Sequence, residues 1–379
     1  MLPKWFNDWN SKFPADIYKP AILTGTVGAV VFAVIALNQL GQPFAGTSMQ
    51  TGPRGTGMVV HEFDSERLTP DPTIAVYYTE APYPPAEGEE LAGEVYENVE
   101  VLGDLTVGNF SRLMLAMTQW VAPEQGCAYC HAGADEGNFA SDDLYTKVVS
   151  RRMIQMTQNI NENWAGHVNA NAEVGVNCFT CHRGENVPSD IWYRITPVHE
   201  PEAVGGWSAV QNRVTVQSQY TSLPSDALET YLLGYNRIGV HNLEPHVAER
   251  PHEDGVATWQ DTERTYSLMN YVSNSLGVNC NFCHNSRAFY DPSQVTPQWA
   301  TETLGIAMVQ EINNDYLVPL QDVYPEHRLG PVYADAPKAA CKTCHKGYVQ
   351  PLQGTNVIAD WPELATSGAP VYEDAAASN

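Results

Sequence analysis

All eight cysteines of the 379-residue chain sit in four copies of one motif: Cys127-Ala-Tyr-Cys130-His131, Cys178-Phe-Thr-Cys181-His182, Cys280-Asn-Phe-Cys283-His284 and Cys341-Lys-Thr-Cys344-His345. That spacing defines a chemistry. Two thiols three positions apart can form thioethers with the two vinyl groups of a haem, and the adjoining histidine is carried under the porphyrin to ligate its iron. Zinc knuckles and thioredoxin-like pairs need no histidine directly after the second cysteine, and disulfides within such pairs would close only very short loops. The sequence therefore predicts four covalently bound haem c groups, each with its motif histidine as the proximal iron ligand.

Four haems in one chain imply an electron carrier, because the porphyrins bring the redox chemistry while the protein sets ligation, spacing and dielectric. An iron that shuttles electrons without binding substrate needs a second axial ligand, and each motif has candidates upstream. Residues 110–120 (FSRLMLAMTQW) have helical periodicity and offer Met114 and Met117. A second helix, capped at Ser141-Asp142-Asp143 and running to about His167, offers Met153, Met156 and His167. A third over 261–277 offers Met269, alone on its helix and 11 residues before Cys280; a fourth over 301–316 offers Met308. Met156-Thr-Gln-Asn-Ile-Asn-Glu-Asn-Trp164 aligns without gaps to Met308-Val-Gln-Glu-Ile-Asn-Asn-Asp-Tyr316. Met156 thus matches Met308, a shared packing position, whereas Met153 matches Gly305. The fourth haem then lacks a helix methionine, and His167, about four helical turns from Met153, could cross over to supply its ligand.

These elements need an arrangement. Residues 21–40 (AILTGTVGAVVFAVIALNQL) are uncharged and long enough to span a bilayer, and Lys4, Lys12 and Lys19 precede them. The expectation is a cytoplasmic 1–20, a retained transmembrane anchor at 21–40 and everything beyond on the periplasmic side; no cysteine is left over for a lipid anchor. Residues 41–105 form an N-terminal periplasmic segment rich in Gly, Pro and acidic residues, with a β-like piece at 73–79. The haem region is expected as two pseudo-repeated dihaem halves, 106–200 and 255–350, joined by 201–254 and followed by an extended tail at 351–379. The fold class is mainly α with long irregular loops. Against 20 Lys and Arg stand 44 Asp and Glu, a net charge of -24, which excludes nucleic-acid binding and favours basic partners.

With its four motifs, paired halves and methionine helices, the chain resembles the tetrahaem cytochrome c subunit of purple-bacterial photosynthetic reaction centres. The resemblance runs from about Glu94 to Gly347 and rests on VYENVEVLGDLTVGNFSRLM, GCAYCH, GVNCFTCHRG, GVNCNFCHNSRAF and RLGP. It implies three Met/His haems and one bis-His haem: Met114 with His131, Met153 with His182, Met269 with His284, and His167 with His345. It also implies a non-enzymatic role in the reaction-centre and light-harvesting complex of the photosynthetic membrane. There the haems would reduce the bacteriochlorophyll special pair carried by the L and M subunits, and a soluble cytochrome c or high-potential iron–sulfur protein would refill them. Two rivals remain. A multihaem enzyme would need one iron with an open distal position, and a membrane-tethered relay would take electrons from quinol to periplasmic reductases.

Overall fold

A computed structural model describes residues 3–12, 18–41, 46–50, 59–63, 70–84, 86–134, 137–195, 210–241, 257–289 and 291–372. The chain divides into two units, Met1–Met49 with Val59–Pro70, and Gln50–Met58 with Asp71–Asn379. The first holds helices α1 (Lys4–Lys12) and α2 (Tyr18–Gly41) and a two-stranded sheet of β1 (Gly46–Gln50) and β2 (Val59–Phe63). Among the described residues α2 is the one helix long and apolar enough to cross a membrane, over 21–38, and none of that stretch is buried in protein. Its exposed Phe32 and Leu37 are unlike the side chains of a soluble core helix, which protein would cover.

The second unit is mainly helical: α3 (Ala92–Val95), α4 (Val107–Val121), α5 (Tyr145–Asn163), α6 (Ala165–Val168), α7 (Cys178–His182), α8 (Trp259–Leu276), α9 (Pro297–Glu311) and α10 (Cys341–His345). Polar caps fix the starts. Thr106 caps α4 by accepting from the Asn109 N–H, and Thr258 and Asp261 form a reciprocal box at the start of α8. Gly277, at φ +68, closes α8 in the left-handed region. Two expected boundaries differ. The second helix starts at Tyr145 and stops at Asn163, because Trp164 leaves helical dihedrals while its indole N–H donates to Glu311 on α9 at 3.3 Å. His167 therefore rides on the separate turn α6. The fourth helix ends at Glu311 and widens into a π-turn over Ile312–Leu317.

Residues 73–79 are not a strand. Asp71 accepts from the Thr73 N–H at 2.9 Å and Pro72 supplies a helical φ, so Pro72–Val76 winds into a 3-10 turn instead. The C-terminal stretch is irregular but far from peripheral. Trp361 and Leu364 are fully buried, and Arg112 on α4 donates to Glu363 at 2.6 Å with both side chains sealed from solvent. One core cluster gathers Trp120, Phe179, Leu352, Trp361 and Leu364. A second gathers Tyr231, Leu232, Leu268, Ile312 and Met308, with Met153, Met156 and Met269 packed against it. Residues 228–232 of the connecting stretch thus belong to the core, because Leu228, Tyr231 and Leu232 are apolar anchors in an otherwise aperiodic segment.

Candidate functional site

The second and fourth motifs are built alike. Each is one helical turn, α7 or α10, and in each the N–H of the residue before the first cysteine donates to a threonine hydroxyl within the motif: Asn177 to Thr180 and Ala340 to Thr343, both at 3.0 Å. A buried asparagine then grips the backbone two residues before the first cysteine. Asn161 accepts from the Val176 N–H and donates to the Val176 carbonyl, both at 2.8 Å. Asn313 accepts from the Ala339 N–H at 2.9 Å and donates to the Ala339 carbonyl at 3.0 Å. Each uses its amide on one further carbonyl, Leu364 for Asn161 and Leu232 for Asn313. Both helical turns end in a left-handed residue, Arg183 or Lys346, and the following glycine N–H donates to a helix end: Gly184 to Trp120 on α4 at 2.9 Å, Gly347 to Ser275 on α8 at 2.8 Å.

The first and third motifs are 3-10 turns, Gly126–Tyr129 and Cys280–Phe282, whose leading cysteines are exposed. A threonine hydroxyl holds each from outside: Thr146 donates to the Tyr129 carbonyl, and Thr296 to that of Phe282 at 2.7 Å.

The histidines carry the decisive geometry. In each motif the ring Nδ1 lies within hydrogen-bond distance of a backbone carbonyl: His131 to Phe139 at 3.0 Å, His182 to Glu185 at 2.8 Å, His284 to Phe289 at 3.1 Å and His345 to Tyr348 at 3.0 Å. A carbonyl can only accept, so Nδ1 holds the proton and the Nε2 lone pair is left for a metal. Burial favours this neutral form, lowering all four histidines and pushing His182 and His345 down to about 4. His167 repeats the pattern, donating from Nδ1 to the Thr301 carbonyl at 2.9 Å, and burial lowers it too.

His167 and His345, which lie 178 positions apart in sequence, come together with ring centroids 6.2 Å apart and ring planes at 70°. Two imidazoles that each keep Nε2 unprotonated would hold an iron between them. The donor set fits a bis-His iron. The methionines sit as follows. Met114 is half-buried on α4, which packs on the turn carrying Cys127. Met153 and Met269 are half-buried on α5 and α8, while Met308 is buried and Met117 and Met156 pack against the cores. Met114 lies six residues before Trp120 and Met269 six before Ser275, the two carbonyls that receive Gly184 and Gly347.

A family described as photosynthetic reaction centre cytochrome C subunit matches residues 41–365. The chain belongs to this family. It is 67% identical over 373 residues to the photosynthetic reaction center cytochrome c subunit of Roseobacter denitrificans, covering 98% of this chain and 100% of that one. The corresponding subunit of Thermochromatium tepidum is 41% identical, covering 88% of this chain and 78% of its own. That of Rubrivivax gelatinosus is 39% identical, covering 85% and 84%. As a reaction centre cytochrome c subunit, the protein transfers electrons in the photosynthetic reaction centre and carries covalent haem c.

Sequence reasoning missed Asn161 and Asn313 as functional supports, although both stand at identical positions of the gapless repeat. Burial pushes the carboxyl of Glu302, on α9, up to about 6.

Proposed function

We propose that the chain holds four haem c groups through Cys127 and Cys130, Cys178 and Cys181, Cys280 and Cys283, and Cys341 and Cys344. The axial pairs are Met114 with His131, Met153 with His182, Met269 with His284, and His167 with His345. The observation that carries this reading is the close His167–His345 pair, with both Nδ1 atoms tied back to carbonyls. Bound haem supplies the chemistry by cycling its iron between ferric and ferrous states. The side chains of the protein set which ligand each iron meets; methionine raises the potential above that of bis-imidazole ligation, so one low-potential site stands among three higher ones.

Two dihaem halves are supported by the matched clamps. Asn161 and Asn313, Thr180 and Thr343, and Gly184 and Gly347 do the same work in each half. Gln158 and Gln310 likewise both donate to backbone outside the repeat, at Glu363 and Tyr231. The equal offset of Met114 and Met269 from Trp120 and Ser275 favours Met114 over Met117 as ligand.

Neighbouring cysteines support a line of sites in the order first, second, fourth, third. The turns α7 and α10 pack on one another, Cys130 lies near Cys178, and Glu302 lies near both Cys341 and Cys283. The terminal sites are then the first and third. On this reading the line refills the special pair on the L and M subunits from a soluble cytochrome c or high-potential iron–sulfur protein. The helix α2 holds the haem unit on the periplasmic side of the membrane, and the acidic excess steers a basic donor.

Flash-induced absorbance in native membranes tests this. With the haems reduced beforehand, haem oxidation should match recovery of the special pair. Recovery without any haem signal would overturn the reading and favour a quinol-fed relay.

A further inference from the structure

On α9, Gly305 occupies a position that glycine's backbone freedom does not explain. It lies inside a helix, its φ is not positive, and glycine is less favourable there than alanine. What the position needs is space. A Cβ built on Gly305 would lie 2.5 Å from Cε1 of His167 and 3.0 Å from both ring nitrogens. The imidazole cannot swing aside without breaking its 2.9 Å bond to the Thr301 carbonyl, one turn earlier on the same helix. Thr301 and Gly305 thus make one seat: a carbonyl that fixes the ring's tautomer and a bare Cα that lets the ring lie against the helix. In the gapless alignment this is the register at which the first half carries Met153.

We propose that Gly305 is a positioning residue that specifies bis-His ligation at the fourth site. By presenting no side chain where the first half presents a methionine, α9 both withholds a ligand of its own and admits His167. This rests on the axial pairs proposed above, and the test separates the two.

The full-length subunit would be studied within reaction-centre membranes by redox titration, by electron paramagnetic resonance of the oxidised haems and by carbon monoxide binding to the reduced ones. For Gly305→Ala the expected result is loss of the bis-imidazole signal and appearance of one carbon-monoxide-binding haem, with the other three haems unchanged. A second variant guards against simple misfolding. In a His167→Gly background the clash has no target, so adding Gly305→Ala should change nothing further, and this double variant should assemble even if Gly305→Ala alone does not. The proposal is overturned if Gly305→Ala leaves the fourth haem as it was, if it disturbs all four haems alike, or if the double variant also fails to assemble where His167→Gly succeeds. If His167→Gly itself leaves the bis-imidazole signal intact, the ligand assignment falls, whatever Gly305 does.

Discussion

The second and fourth motifs are locked from within, whereas the first and third are held from without. In α7 and α10 the histidine finds its carbonyl three residues on, inside its own turn, and a buried asparagine fixes the approach to the first cysteine. In the two 3-10 motifs the carbonyl comes from a loop, Phe139 or Phe289, and the leading cysteine is exposed. The locked pair are neighbours through Cys181 and Cys344, and on the proposed order they form the interior of the line. On that order the internally clamped motifs stand inside the line and the motifs held by loops stand at its ends. Loops on a rigid scaffold are the usual place for contact surfaces.

The contrast can be broken most strongly at the asparagines. Asn161→Ala strands one N–H and two carbonyls in the interior, and Asn313→Ala one N–H and the Leu232 carbonyl, since Trp192 Nε1 still donates to the Ala339 carbonyl, at about 1–3 kcal/mol for each orphaned group. Hydrogen exchange at Val176 or Ala339 should accelerate by roughly a hundredfold or more, since each 1.4 kcal/mol is about a factor of ten. Equal protection in wild type and variant would show that the helical turn holds itself without the clamp. Thr296→Val, at the outer third motif, removes the hydroxyl that donates to the Phe282 carbonyl at 2.7 Å and, more weakly, to that of Cys283 at 3.5 Å, and should cost about 0.5–1.5 kcal/mol. Its spectral change should be confined to the third haem; a change at the fourth instead would contradict the division into locked and loosely held sites.

The smallest effect belongs to the loop that orients His131. Asp142 accepts from Arg151 at 3.0 Å and from Asn98 at 2.9 Å, and also pairs with Lys147, which donates to the carbonyls of Phe139, Ala140 and Ser141. The Arg151 hydrogen bond, helped by Asn98 and Lys147, holds the Asp142 carboxyl well below its ordinary value of 3.8. A depressed carboxylate contributes stability that is present in full above its ordinary value and is withdrawn as pH falls through the lowered one. Asp142→Asn should therefore cost at most about 1 kcal/mol near neutrality, as exposed pairs do, and the difference from wild type should vanish in acid. Acid and thermal unfolding followed at the first haem would check both the size and the sign.

Much of this was legible beforehand. The eight cysteines and four motif histidines follow from spacing alone, because thioether attachment is a local act within five residues. The gapless repeat located the asparagine clamps without revealing their use, since a sequence match reports equivalence and not which backbone groups lack a partner. Helix ends were misjudged where a distant side chain intervened, as with Trp164 reaching Glu311. The stretches 201–254 and 351–379 looked like connection and tail because their anchors, Tyr231, Leu232, Trp361 and Leu364, follow no period. In the fold those anchors close the two cores, and the same stretches supply the carbonyls of Leu232 and Leu364 to the clamps.

What the sequence determined by itself was the covalent haem c chemistry, since thioether attachment depends on residues adjacent in the chain. The approach of His167 to His345 had only an indirect sign in the residues themselves, in the mismatch of Met153 with Gly305. Tertiary structure decided it by setting the turn α6 against α9, where the Thr301 carbonyl and the bare Cα of Gly305 seat the His167 ring 6.2 Å from that of His345. No local pattern encodes such a distance, because it depends on how closely two helical segments approach, and here that approach depends on the absence of a side chain.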